Sequence, residues 1–215
     1  MEETKNNGAQ ESANEGLEAV TSFFKQDFLK MLMLFLKEPV SGTYSLFEDK
    51  KDKLFPSIIL IGVTVLLYIT LPFILGFGKY IGFGGALKMG LFPLFFMLFV
   101  TLITFGLKFI SDKPDIKAEL FTGALQALPF LFLFVIIVIL RIFGENVGAS
   151  LMSGNVMGAG IVFSIIMLFL ILMMINIVMQ SLKASKAKDA LAWYLSPVVV
   201  LLSFYLTAKL AGAMF

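Results

Sequence analysis

The chain has 215 residues, 59% of them hydrophobic, with 17 Lys and Arg against 15 Asp and Glu for a net charge of +2. It contains no Cys and no His, which excludes thiolate nucleophiles, disulfides, imidazole bases and zinc sites built on either residue. So small a positive balance, spread over so apolar a chain, points to membrane sidedness and gives no reason to expect a nucleic-acid partner.

Residues 1–15 are rich in Glu, Asn, Gly and Ser without an apolar period, and read as a disordered, mildly acidic cytoplasmic tail. The next segment, 16–53, begins with an apolar repeat. Leu17, Val20, Phe24, Phe28, Met31 and Phe35 recur at three- and four-residue steps, opposite Glu18, Ser22, Lys25, Gln26 and Lys30. That period predicts an amphipathic helix, closed by the apolar run Met31–Leu36 and stopped before Pro39. The run is too short to cross a bilayer. Two placements follow. The helix lies on the inner leaflet, with Phe24, Phe28, Met31 and Phe35 in lipid and Lys25 and Lys30 among the headgroups, or it packs against the spans. Lys50, Lys51 and Lys53 then form a charged knot, read as a topology anchor, with a lipid-phosphate site as the alternative.

Residues 54–215 hold five apolar stretches: Pro56–Phe77, Met89–Gly106, Phe121–Ile142, Gly160–Met179 and Leu191–Ala208. Each is close to the roughly 20 residues that a bilayer core of about 30 Å requires at about 1.5 Å per residue. None holds an acidic residue. The expected fold is therefore all-α, a polytopic membrane protein with five transmembrane helices behind an interfacial one. Thirteen of the 17 basic residues fall before the first span or in the second and fourth connections. Lys79, Lys88, Arg141 and Lys209 make up the rest. The positive-inside rule then puts the N-terminus in the cytoplasm and the C-terminus outside the cell membrane, as an odd number of crossings also demands. The Gly-rich connection 144–160 is expected to be mobile and, with no Lys after its glycines, is no phosphate cradle.

Inside the spans, Thr101, Gln126, Asn176 and Ser196 lie seven to nine residues from the basic end, roughly 10–13 Å deep at the helical rise. They are expected to form one polar layer, extended by Gln180 a turn below Asn176. Amides in hydrocarbon need partners, so the layer is either a binding pocket or a set of interhelical hydrogen bonds. Pro72, Pro93, Pro129 and Pro197 are expected to kink their helices. No metal-ligand cluster and no cofactor motif stands out, and no enzymatic activity is expected.

The order of features resembles the Yip family of five-span membrane proteins. The carriers are Lys37-Glu38-Pro39 at the end of the leading helix and Tyr44-Ser45-Leu46-Phe47 ahead of the first span. The third span contributes Leu120-Phe121-Thr122-Gly123-Ala124 and Ala127-Leu128-Pro129-Phe130. The fourth loop, Ser181-Leu182-Lys183-Ala184-Ser185-Lys186-Ala187, leads into a last span with Pro197. The resemblance implies a cytosolic N-terminus, an external C-terminus and a non-catalytic role in membrane organisation or trafficking. Eukaryotic members interact with Rab-type GTPases. Here the acidic-Leu-Tyr-Gly-Pro segment before the first span is replaced by Ser41-Gly42-Thr43-Tyr44, and the Gly-Tyr pair of the third span is missing. Those departures tell against a GTPase partner and toward a prokaryotic relative. The leading expectation is a scaffold whose partners are the bilayer, other membrane proteins or a second copy of itself. The alternative is a permease or channel for a small neutral or lipidic solute, through the Gln126/Asn176 layer.

Overall fold

The computed structural model describes residues 18, 20–49, 53–109, 114–143 and 156–214; the acidic tail and most of the 144–160 connection lie outside them. Among the described residues all regular structure is helical. The chain divides into two compact units, Met1–Leu46 and Phe47–Phe215.

In the first unit, a π-helical stretch Phe23–Phe28 runs into α1, Leu29–Lys37. The rings of Phe23, Phe24 and Phe28 cluster with centroids 5.4–6.4 Å apart. α1 stops where Pro39 bars a helical conformation from the residue before it, and Glu38 leaves the helix at φ −134°. The chain re-enters a helix, α2, at Ser41–Glu48. Phe24 and Phe28 are partly buried and Lys25 and Lys30 exposed, but Met31 and Phe35, expected in lipid, are buried. The exposed apolar positions are instead Leu29, Met33 and Leu36, again at helical spacing. Met31–Leu36 is apolar all round, so the period alone does not say which of its faces is turned outward.

The second unit contains α3 (Leu54–Ile74), α4 (Gly78–Lys108), α5 (Ile116–Leu125), α6 (Ala127–Phe143), α7 (Val156–Ala184) and α8 (Asp189–Met214). They supply five stretches long and apolar enough to cross a membrane, with α5 and α6 together forming the third. α4 is the central helix, packed on α3, α5 and α8. Its Phe96, Met97 and Val100 are fully buried. Phe96 stacks on Phe204 of α8 at 4.3 Å and edges onto Phe130 of α6 at 5.4 Å, while Tyr68 of α3 meets Phe130 at right angles. These aromatic contacts hold together the middle of the bundle.

Span boundaries shift by several residues from the sequence expectation, and two of the shifts matter. The second span continues through Lys108, and the third starts at Ile116, five residues before Phe121. The connection is thus short, and Glu119 belongs to a helix rather than a loop. Asp115 starts that helix: it caps α5 from an extended backbone (φ −100°, ψ 118°) by accepting a hydrogen bond from the Lys117 amide at 3.1 Å. Of the four prolines, Pro129 alone follows a break. Having no N–H, it leaves the Leu125 carbonyl without its usual donor, and helicity lapses at Gln126, whose amide turns back to the Gly123 carbonyl at 3.1 Å. Pro72 sits in the last turn of α3, and Pro93 and Pro197 lie within continuous helix; the non-helical residue inside α4 is Gly82, at φ 65°.

Candidate functional site

The five residues of the expected polar layer are placed as follows. Thr101 and Ser196 are buried and hydrogen-bond within their own helices, to the Met97 carbonyl at 2.9 Å and the Trp193 carbonyl at 3.3 Å. Gln180 donates to the Asn176 side-chain oxygen at 3.0 Å, one turn away on α7. Gln126 is fully buried at the helix break and donates to the Met174 carbonyl of α7 at 3.4 Å; its own Oε1 has no partner. Gln126 thus ties the third span to the fourth through a side chain and a backbone carbonyl, whereas the bonds from Thr101 to Met97, Ser196 to Trp193 and Gln180 to Asn176 stay within single helices. Close by, the Tyr68 hydroxyl donates to the Phe130 carbonyl at 3.0 Å. Thr101 has a second role. A Cβ on Gly123 of α5 would run into the Thr101 hydroxyl and the Met97 carbonyl, so only glycine lets α5 lie this close to α4.

The densest chemistry lies elsewhere, at the lysine-rich end of the bundle. Lys108, the last residue of α4, donates to Glu119 of α5 at 2.7 Å and to the Ser181 hydroxyl of α7 at 2.8 Å. Ser181 shares a hydrogen bond of 2.6 Å with Thr122, one turn along α5 from Glu119. The two charged side chains are 5% and 2% exposed. Three helices are therefore joined by one ion pair and two hydroxyls, a fully connected buried network. Lys108 and Glu119 were legible only as ends of a loop; the signal that could have found them is a cation closing one helix and an anion in the first turn of the next, across a short connection.

Beside this network is a cavity of about 200 Å³ whose charged lining is Lys53, Lys108, Asp115 and Glu119. Ser181 and Ser185 add hydroxyls, and Phe47 forms an apolar side. Lys53, at the mouth of the first span, bonds the Phe47 carbonyl and lies over the Phe47 and Phe121 rings at 6.0 and 5.5 Å. The two rings meet edge to face at 5.7 Å. Burial pushes the Lys53 ammonium below the ordinary lysine value, partly opposed by the negative charge of Asp49. Sequence reasoning read Lys53 as an anchor or a lipid-phosphate contact; it did not join it to Asp115 and Glu119, which lie more than 60 positions along the chain. Among the described residues no group of His, Cys, Asp and Glu is arranged to hold a metal ion.

Five apolar spans of this length, with α4 packed on its neighbours at the centre, define a multi-pass helical membrane protein. No protein-family model, curated protein or solved structure matches the chain.

Proposed function

We propose that this is a non-catalytic, Yip-like protein of the cell membrane, a scaffold that binds partners at its lysine-rich, cytoplasmic end. The observation that carries the reading is the Lys108–Glu119–Ser181–Thr122 network. The carboxylate and ammonium neutralise each other while fixing the ends of three helices, an arrangement that builds a rigid platform rather than a poised acid or base. Sidedness rests on the basic residues, 13 of 17 of which precede the first span or lie in the second and fourth connections. Leu29, Met33 and Leu36, exposed next to Lys30 and Lys37, support an α1 lying on the inner leaflet with that face in lipid. The permease alternative has less support, because Gln126 is bonded to a backbone carbonyl among fully buried neighbours.

The cysteine-free chain makes the test direct. A single cysteine is introduced in place of Ser185 at the platform or of Ala213 at the opposite end of α8, and native membranes are treated with a thiol crosslinker. The expected result is discrete adducts with a second copy or another membrane protein from position 185 only. A membrane-impermeant thiol reagent should label 213 in intact cells and 185 only after permeabilisation. Equal crosslinking from both positions, or the reverse labelling pattern, would sink the proposal.

A further inference from the structure

The cavity beside the network carries an inference that goes beyond the scaffold reading. Its four ionisable lining residues, Lys53, Lys108, Asp115 and Glu119, are two cations and two anions. A lining that sums to zero favours neither a plain anion nor a plain cation; it matches a ligand carrying both charges. The four are not equivalent. Lys108 and Glu119 are joined to each other at 2.7 Å. Lys53 and Asp115 are the opposite charges in no ion pair among the described residues, though each lies in the other's field, and each makes one side-chain hydrogen bond. An ammonium has three donors, and that of Lys53 gives one to the Phe47 carbonyl. A carboxylate has about four acceptor positions, and that of Asp115 accepts from the Lys117 amide. Donor capacity and acceptor capacity thus remain at separate points of one cavity.

We propose that this cavity binds a zwitterionic phosphate ester, an ammonium-bearing phospholipid headgroup or the free aminoalkyl phosphate, with phosphate on Lys53 and ammonium on Asp115. Lys53 is preorganised for the role by the two aromatic rings and the carbonyl that hold it. Burial works against its charge in the unliganded protein, and an arriving phosphate relieves that penalty. Glu119 is turned into Lys108 and Thr122, so the ligand's ammonium finds its acceptor at the rim, on Asp115. The rim also favours a lipid as the source. Phe55, in the first turn of α3 after Lys53, is 43% exposed, and Ile116, next to Asp115, is 51% exposed. Neither lines the cavity, but each sets an exposed apolar side chain within two positions of one of the two charges, so lipid-accessible surface begins next to the charged end of the bundle. A headgroup with net negative charge and no ammonium leaves Asp115 unpaired and opposing it, which builds in discrimination.

The test is native mass spectrometry of the full chain in detergent, titrated with phosphatidylethanolamine, phosphatidylglycerol and water-soluble phosphoethanolamine. Phosphatidylethanolamine should bind about tenfold more tightly than phosphatidylglycerol, and Lys53→Ala should lower its affinity by about fivefold to tenfold while Lys53→Arg retains it. Asp115→Asn should erase the preference by improving binding of the anionic lipid, and Ser185→Phe, which fills the cavity, should abolish selective binding. Competition by soluble phosphoethanolamine assigns the free ester as a ligand; selective lipid binding without competition assigns the lipid. Equal binding of the two lipids by the unmodified chain, a result that needs no variant to fold, overturns the proposal, as does a preference that survives Asp115→Asn. Either failure leaves crosslinking at position 185 untouched, so the headgroup site and the scaffold stand or fall separately.

Discussion

Lys108→Met is the sharpest perturbation of this structure. It removes the cation bonded at 2.7 Å to Glu119 and leaves behind a carboxylate whose side chain is 2% exposed. An uncompensated buried charge of this kind destabilises by about 3–5 kcal/mol, a factor of roughly 10² to 10³·⁵ in the folding equilibrium. Glu119→Leu strands the ammonium and should cost about as much. The double variant strands neither. Ser181 and Thr122 keep their mutual 2.6 Å hydrogen bond, so stability should return to within about 1 kcal/mol of the parent or exceed it. Unfolding in mixed micelles of rising dodecyl sulfate content, followed by the fluorescence of the single tryptophan, Trp193, gives all four corners of the cycle. Single losses below about 1 kcal/mol that add within about 0.5 kcal/mol would refute the reasoning, since they mean that solvent already screens the pair.

The helix contact at Gly123 should be as intolerant: Gly123→Leu drives a side chain into the Thr101 hydroxyl and the Met97 carbonyl and should lose about 1–3 kcal/mol in the same assay. Gln126→Leu has the opposite expectation. It removes a long 3.4 Å hydrogen bond together with an orphaned buried oxygen, so stability should stay within about 1 kcal/mol, and a loss above 2 kcal/mol would show that the amide carries more than that bond. Lys53 should betray itself by pH. Its folded-state value lies below the ordinary 10.5, so folding releases a proton in the interval between them, and stability rises with pH there. The melting temperature of the parent should therefore climb relative to Lys53→Met as alkaline pH approaches 10.5, and parallel curves would rule the shift out.

The five helices were legible because hydrocarbon imposes a single requirement, an uninterrupted apolar stretch, that survives errors of several residues at either end. The candidate site did not survive those errors. Placing the end of the second span at Gly106 and the start of the third at Phe121 turned Lys108 and Glu119 into loop charges, whereas the helices run to Lys108 and from Ile116 and bury both. Ser181 could not be read at all, since its meaning comes from a lysine 73 positions earlier. Gln126 was recognised as needing a protein partner. Its partner proved to be the Met174 backbone, and a backbone carbonyl leaves no trace in side-chain identities. In the leading helix the apolar period was right about helicity and ambiguous about direction, because a run such as Met31–Leu36 has no polar side to orient it.

The break at Gln126 and the network at Lys108 divide the third span between two tasks. Below the break, α6 joins the aromatic middle of the bundle through Phe130, with the Tyr68 hydroxyl on its carbonyl. Above it, α5 is only 10 residues long, yet it carries Asp115, Glu119 and Thr122, the capping group and two members of the network. A helix that short is marginal on its own propensity and depends on what it packs against. Here the supports are a glycine-mediated contact with α4, an ion pair to the end of α4 and a hydroxyl pair to α7. Pro129 removes the hydrogen bond that the Leu125 carbonyl would otherwise accept, which loosens the link between α5 and α6 at Gln126. The charged end is thereby set by a polar network together with one close helix contact at Gly123, and the apolar middle by aromatic packing.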